Sequence, residues 1–358
     1  MAGAYIPLTT EDSILSNDSV TSAMWSDNSP TLLNYYTSSA QIASSVAPYY
    51  LSVYQTASNE VTSAIQFDVA YCDEVGSGSK YLNSLVIGTT PTRTNYGQYR
   101  SLVLGDENAS FIFGNYTSSY FYVLNLERAR YKQNILPGTW TLQLSGSLTD
   151  IAEDHLVLTD DSLVNNVTSF TDAGRVYNII SGSAGVVNTT LNTTGWTSNV
   201  GSYGWMLPDV NLLILNGEAL DATLAQGGLT LGTVRTANEW DTNGANPKLL
   251  INSLIKGGTS PTGLAPRGFT LNSQEDLSSD FIFCRARNSE FNYSSNPSFI
   301  SSSTGGILYD SFITNPTTYI TTVGLYNDSQ ELLATAKLSR PLEKDFTKEL
   351  LVRVKLDF

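Results

Sequence analysis

The chain has 358 residues, enough for roughly two domains or one large all-β domain with a core that needs no disulfide staples. Its 41% apolar and 11% aromatic content excludes wholesale disorder, while only 15% of residues are charged, against an ordinary average of about 25%. The formal net charge of −14 argues against sequence-independent nucleic-acid binding, which needs cations to displace phosphate counterions.

Residues 1–60 are rich in Ser, Thr and Asn, punctuated by Pro7, Pro30 and Pro48, with isolated aromatics such as Trp25, Tyr35 and Tyr50. This pattern predicts an extended arm that lies across other surface, with a short helix over 37–47 that Pro48 stops. The opening residues have neither a basic nor an apolar signal-peptide region, so no leader is expected, and no apolar run approaches a membrane span. The Asn-X-Ser/Thr sequons at Asn108, Asn115, Asn166, Asn188 and Asn292 then follow from composition alone.

From residue 61 to 148 the sequence predicts the first part of an antiparallel β core. Ile65, Phe67 and Val69 alternate with polar or small residues up to Cys72, and Gly76–Ser79 reads as a turn. Strands are expected at Leu82–Ile87, Tyr99–Leu104, Phe111–Phe113 and Tyr120–Leu126, and Pro137-Gly138 turns into Trp140–Leu144. Residues 149–272 read as an irregular α+β middle segment or insertion. It contains an acidic turn, Asp150–Asp161, and a strand at Val176–Ile180. A loop of small residues covers 181–202, and Val210–Leu215 is a continuous apolar strand. A helix over Pro247–Lys256 would have Asn246 as its N-cap.

Residues 273–358 read as the second part of the β core, a C-terminal meander. Phe281–Arg287 is a strand, and Asn292–Pro297 signals a loop. The final run places Leu350, Val352, Val354, Leu356 and Phe358 on one side of a period of two, with Glu349, Arg353, Lys355 and Asp357 on the other. This spacing predicts a half-buried core strand with Leu351 as its one lapse. The overall expectation is a mainly β protein, sandwich- or barrel-like, with an N-terminal arm and a few short helices. Arg-Ala-Arg at 128–130 and again at 285–287 is a faint internal echo.

Motifs for chemistry are absent. Gly76–Lys80 lacks phosphate-loop spacing, Gly182–Gly185 is not a nucleophile elbow, and His155 is the only histidine available as a base. The acids around it, Asp150, Glu153, Asp154, Asp160 and Asp161, lack the alternation and bend glycine of a calcium loop and read as solvated charge. Arg128, Arg130 and Lys132 form the densest basic cluster, read as a solvated or subunit-contacting strand end. Cys72 and Cys284 stand far apart and read as buried free thiols, with one long-range disulfide as the alternative. No catalytic, cofactor-binding or metal-ligating residue is assigned.

The stretches Phe283–Phe299, Thr318–Asp328, Leu332–Pro341 and Leu351–Phe358 together resemble the C-terminal part of virion structural proteins of T4-like tailed phages (myoviruses), particularly cyanophages. Tyr122–Gly138 and Tyr203–Asn216 are similar to upstream blocks of that family. The resemblance covers about half the chain. It implies a particle component without a catalytic role, assembled in the host cytoplasm and resident in the virion, in the tail, baseplate or neck. Its partners would be other virion proteins and copies of itself, with neither nucleic acid nor membrane bound. The alternatives are a receptor- or host-glycan-binding tail protein and a cell-wall-degrading tail enzyme, the latter needing a convergent carboxylate pair.

Overall fold

A computed structural model describes residues 5–38, 50–76, 92–145, 155–165, 169–188, 203–235, 245–258, 268–294 and 296–357. The chain divides into a larger unit, Val20–Glu275, and a smaller unit that joins Met1–Ser19 to Asp276–Phe358. In chain order, β1 (Ser13–Ala23), β2 (Thr31–Leu32), β3 (Tyr36–Thr37), β4 (Tyr50–Tyr54) and β5 (Ile65–Asp73) precede helix α1 (Thr92–Leu104). Then come β6 (Phe111–Phe113), β7 (Tyr116–Ser118), β8 (Tyr120–Leu126), β9 (Asn134–Ile135), β10 (Leu142–Ser145) and β11 (His155–Asp160). These lead to β12 (Ser169–Thr171), β13 (Gly174–Ser183), β14 (Val186–Val187), β15 (Gly204–Leu207) and β16 (Leu212–Asn216). Helices α2 (Gly217–Asp221) and α3 (Ala245–Gly258) separate these from β17 (Phe269–Thr270) and β18 (Asn272–Ala286). Helix α4 (Asp310–Thr314) and strands β19 (Thr318–Tyr326), β20 (Leu332–Lys344) and β21 (Leu350–Asp357) complete the described chain. The protein is mainly β, with antiparallel ladders in a sandwich-like arrangement and no closed barrel among the described residues.

The larger unit is built on one sheet in the order β10-β11-β13-β15-β16-β8-β5-β4-β3. Its central strands are apolar on both faces, which is why they read as continuous hydrophobic runs. On β8, Tyr122, Leu124 and Leu126 enter one hydrophobic cluster while Phe121 and Val123 enter a second. The partner β16 does the same, with Leu213 and Leu215 on the first side and Leu212 and Ile214 on the second. Helix α3 contributes Leu250, Ile251 and Leu254 to the first cluster. Helix α1 and β6 contribute Tyr96, Val103, Phe111 and Phe113 to the second. Fully burying each such side chain contributes about 1.5–3 kcal/mol, so the sheet is fixed by its two coats rather than by its ladders alone.

Several expectations are corrected here. Tyr99–Leu104 is the end of a helix, not a strand. The residues that α1 sets against the second cluster, Tyr96, Tyr99 and Val103, recur at helical three- and four-residue spacing, a pattern visible only when the run is read from Thr92. Gly105, at φ 63°, stops it in the left-handed region, and a side chain there would collide with Asp172.

The arm expected over 1–60 is not one element. Met24, Trp25, Leu32, Tyr35, Leu51 and Val53 are all buried in the first cluster, so residues from Val20 onward are part of the larger unit's core. The indole Nε1 of Trp25 donates to the carbonyls of Pro30 (3.1 Å) and Phe269 (3.0 Å), which stitches this segment to the strand just before β18. The helix expected over 37–47 and the strand over 82–87 fall almost wholly outside the described residues, as does all but Gly76 of the turn at 76–79.

The segment 149–272 is not an irregular insertion either. β10 pairs with β11 across its expected boundary, and β13, β15 and β16 carry the sheet to its centre. Within the loop expected at 181–202, Ser181–Ser183 extend β13 and Val186–Val187 form β14. Asn246 lies inside the first turn of α3 rather than capping it. Its amide instead clasps Val234, accepting from the N–H and donating to the carbonyl, both at 2.9 Å.

Candidate assembly surface

In the smaller unit, β18 pairs with β21 from Ser279↔Asp357 to Ala286↔Leu350. The expected alternation of the last strand is present: Leu350, Val352, Val354 and Leu356 turn to the less exposed side, and Leu351, Arg353, Lys355 and Asp357 to solvent. Phe358 lies outside the described residues. The depth is less than the sequence suggests. Among the described residues of this unit only Ile282, Ala286 and Val354 are fully buried hydrophobics, and neither hydrophobic cluster includes any of its residues.

A buried lysine supplies part of the order that a core would otherwise give. Lys344 is 0% exposed and its ammonium donates to Asn292 Oδ1 (2.7 Å), Asp345 O (2.8 Å) and Asn288 O (3.0 Å). Three donors meet three neutral acceptors, so the desolvated charge is fully hydrogen-bonded without a carboxylate. Asn292 Nδ2 in turn donates to Asn288 O at 2.6 Å, which ties the start of the long connection after β18 to the end of β20. The sequence gives no signal of this, because Glu343-Lys344-Asp345 reads as an ordinary solvated charge run. Next to it, the Thr347 hydroxyl and amide and the Lys348 ammonium hold the Asp345 carboxyl at about 2, which keeps the turn into β21 hydrogen-bonded well below neutral pH.

β19 and β20 form a two-stranded ladder. Its inner row pairs Ile320 with Leu342, Val323 with Ala336 and Leu325 with Ala334, and every one of these is only half-buried. Between the pairs Ile320↔Leu342 and Thr322↔Lys337, Thr321 alone faces Leu338, Ser339, Arg340 and Pro341. This wide bulge accommodates Pro341, which has no N–H for a ladder, and breaks one edge against unregulated pairing. The outer face carries Tyr319 and Tyr326. More than half of the exposed large hydrophobics among the described residues belong to this unit, which holds under a third of the chain; Leu15, Ile313, Tyr319, Leu333 and Leu351 are the most exposed of them. Tyr5 packs edge-on against Tyr326, their ring centres 5.0 Å apart, and leaves Tyr319 62% exposed. A two-stranded ladder so thinly covered is marginal in water, and contiguous exposed apolar surface marks contact sites.

Elsewhere the polar residues singled out in the sequence have local structural roles. Asp160 and Asp161 are buried rather than solvated. Asp160 accepts from the amides of Gly138 (2.8 Å) and Ser162 (2.9 Å), fixing the Pro137-Gly138 turn, and Asp161 accepts from the backbone and side-chain N–H groups of Asn178, both at 2.9 Å. Asp150, Glu153 and Asp154 lie outside the described residues, and His155 begins β11. Arg128–Arg130 is a 3-10 turn in which Arg128 donates to Tyr131 O (2.9 Å) and stacks on its ring, whereas Arg285 closes β18, so the two Arg-Ala-Arg stretches share no local geometry. Cys72 and Cys284 are both free, and burial pushes both thiols up.

The best-organised polar cluster is a second finding that the sequence does not announce. The Arg235 guanidinium forks onto Asp73 (2.8 and 2.9 Å) and lies 4.2 Å from the centre of the Tyr120 ring. The Tyr120 hydroxyl donates to Asp221 at 2.8 Å, and Asp221 also accepts from the amide and hydroxyl of Thr233 at 2.9 Å. Burial, followed by the Asp221 charge, pushes the Tyr120 phenol far above its ordinary range and keeps it a donor. Each charged group is hydrogen-bonded, so the cluster fastens β5, β8 and α2 to the chain after Gly232. No group of three or more His, Cys, Asp or Glu residues gathers to hold a metal among the described residues, and no described helix is long and apolar enough to cross a membrane. Compared with family models, with curated proteins and with solved structures, the chain matches none.

Proposed function

We propose that this protein is a structural subunit of a tailed-phage virion, in its tail, baseplate or neck, that docks onto other virion proteins and onto copies of itself through the smaller unit. The observation that carries the docking is the core-poor smaller unit, whose hairpin and sheet hold nearly all their apolar side chains half-buried or exposed, Ile282, Ala286 and Val354 excepted. Covering such surface is what gives a subunit–subunit contact its driving force, at about 25 cal/mol per Å² of apolar area before the costs of association. Open strand edges are a hazard in a free monomer and useful in an assembly. Of the N-terminal segment, Ser13–Ser19 belong to β1, which pairs with β18, and Tyr5 packs against Tyr326, while Tyr5, Ile6, Leu8, Ile14 and Leu15 keep exposed apolar surface for a neighbour to cover. The phage assignment rests on the resemblance of Phe283–Phe299, Thr318–Asp328, Leu332–Pro341 and Leu351–Phe358.

Particle incorporation tests this reading. Leu15→Lys combined with Tyr319→Lys alters two side chains that are 64% and 62% exposed, so the folded monomer should keep its thermal midpoint. When supplied in trans during infection, the variant is expected to be missing from purified particles that incorporate the wild-type chain. Equal incorporation of both, or no incorporation of the wild-type chain into any particle fraction, would remove the basis of the proposal.

A further inference from the structure

The sheet of the smaller unit has a second face unlike the apolar row. Along it, β18 presents Phe281, Phe283 and Arg285 directly opposite Lys355, Arg353 and Leu351 of β21. Arg353 and Lys355 both stand over the Phe281 ring, at 5.3 and 5.8 Å from its centre. Lys355 shares its charge with Asp357 at 2.8 Å, whereas Arg353 and Arg285 make no ion pair among the described residues, Arg285 lying only near enough to the Asp12 carboxylate for their charges to be felt. The result is a short cationic, aromatic strip ending in the exposed Leu351, in a chain whose net charge is −14. Stacked guanidinium groups beside aromatic rings lose little freedom when they engage a carboxylate, and this combination is what interface hot spots favour.

The same unit carries the complement. At the tip of the β19–β20 hairpin, the turn Asn327–Glu331 is closed by Asn327, whose Nδ2 donates to Glu331 Oε2 and whose Oδ1 accepts from the Glu331 amide, both at 2.8 Å. Asp328 and Glu331 are exposed there, next to the exposed Leu332 and Leu333. The tip is therefore acidic with an apolar shoulder, and the strip is cationic with an apolar, aromatic bed. Within one copy the two do not engage: Leu333 is 68% exposed, and Asp328 has no cationic partner among the described residues.

We propose that the hairpin tip of one copy docks on the cationic strip of a second copy, Asp328 and Glu331 meeting Arg285 and Arg353 while Leu332 and Leu333 cover Phe281, Phe283 and Leu351. This rests on the assembly reading above and names a partner for it. The two surfaces differ, so the contact is heterologous: each docked copy still offers a free strip or a free tip, and the arrangement closes into a ring or extends as a filament. Three cations in an acidic chain are too few for a nucleic-acid track, which leaves an acidic protein surface as the fitting occupant.

Sedimentation velocity of the full chain with paired charge reversals tests the docking. Arg285→Glu with Arg353→Glu reverses the strip, and Asp328→Lys with Glu331→Lys reverses the tip; thermal melts confirm that each variant is folded. The wild type is expected to associate and to weaken with added salt, and each reversed variant alone to associate at least about tenfold more weakly. An equimolar mixture of the two variants is expected to recover association, because each reversed surface then meets a complement. Folded variants that associate like the wild type, or a mixture that fails to recover, overturn the inference. A wild type that stays monomeric yet enters particles also overturns it, while leaving the assembly reading intact with a different virion protein as the occupant.

Discussion

Arg235→Ala is expected to destabilise the larger unit by about 3 kcal/mol, the lower end of the range for breaking a buried ion pair by removing one partner. The Asp73 carboxylate is buried, with a side-chain exposure of 1%, while Arg235 is 31% exposed, so water softens the loss on the arginine side only. Without the guanidinium, Asp73 keeps the Tyr71 hydroxyl (2.9 Å) and the Val75 amide (3.0 Å), neither of which carries charge. The Tyr120 ring loses its stacked cation as well. Arg235→Lys is expected to recover only part of the loss, since an ammonium neither forks onto both oxygens nor stacks as a plane. Denaturant unfolding followed through the larger unit measures this. A loss below about 1 kcal/mol, the scale of exposed pairs, would mean that Asp73 is solvated in the folded protein.

Deleting Lys355–Phe358 is expected to have the second large effect, concentrated in the smaller unit. The deletion removes the pairings Phe281↔Lys355, Asp280↔Leu356 and Ser279↔Asp357 together with the 2.6 Å bond from the Ser279 hydroxyl to Asp357. It also uncovers Val354, one of the unit's few fully buried apolar side chains. A unit with so little core has little reserve against even about 2 kcal/mol, so soluble, assembly-competent protein should fall several-fold. The measurement is soluble yield together with incorporation into particles, and unchanged values for both would show that the strand's end is dispensable.

The β character, the strands at Ile65, Tyr120, Val176, Val210 and Phe281, and the alternation of the last strand were all legible because period-two patterning and apolar runs are properties of the chain itself. What was illegible depends on partners distant in sequence. Whether Tyr99–Leu104 is strand or helix turns on Tyr96, whose ring packs against Phe111 and Phe121 from other elements. Trp25 and Leu32 look like isolated apolar residues in a polar arm until Phe269 arrives to pack on Trp25 and pair with Leu32. Asp160 reads as one of a run of acids, and its burial follows from the Gly138 amide that its carboxylate satisfies. The assembly surface is a mixed case. The sequence shows Leu332, Leu333 and Tyr319 as good strand residues, yet nothing local says that they stay exposed.

That uncovered state is the account's central claim, and hydrogen exchange across an assembly titration tests it most directly. Backbone amides of β19 and β20 should exchange quickly in dilute monomer and gain protection as the chain assembles, whereas those of β8, coated on both faces, should be protected throughout. Amides of β19 and β20 that are as protected in dilute monomer as those of β8, and unchanged on assembly, would contradict the claim that the smaller unit is completed by its neighbours.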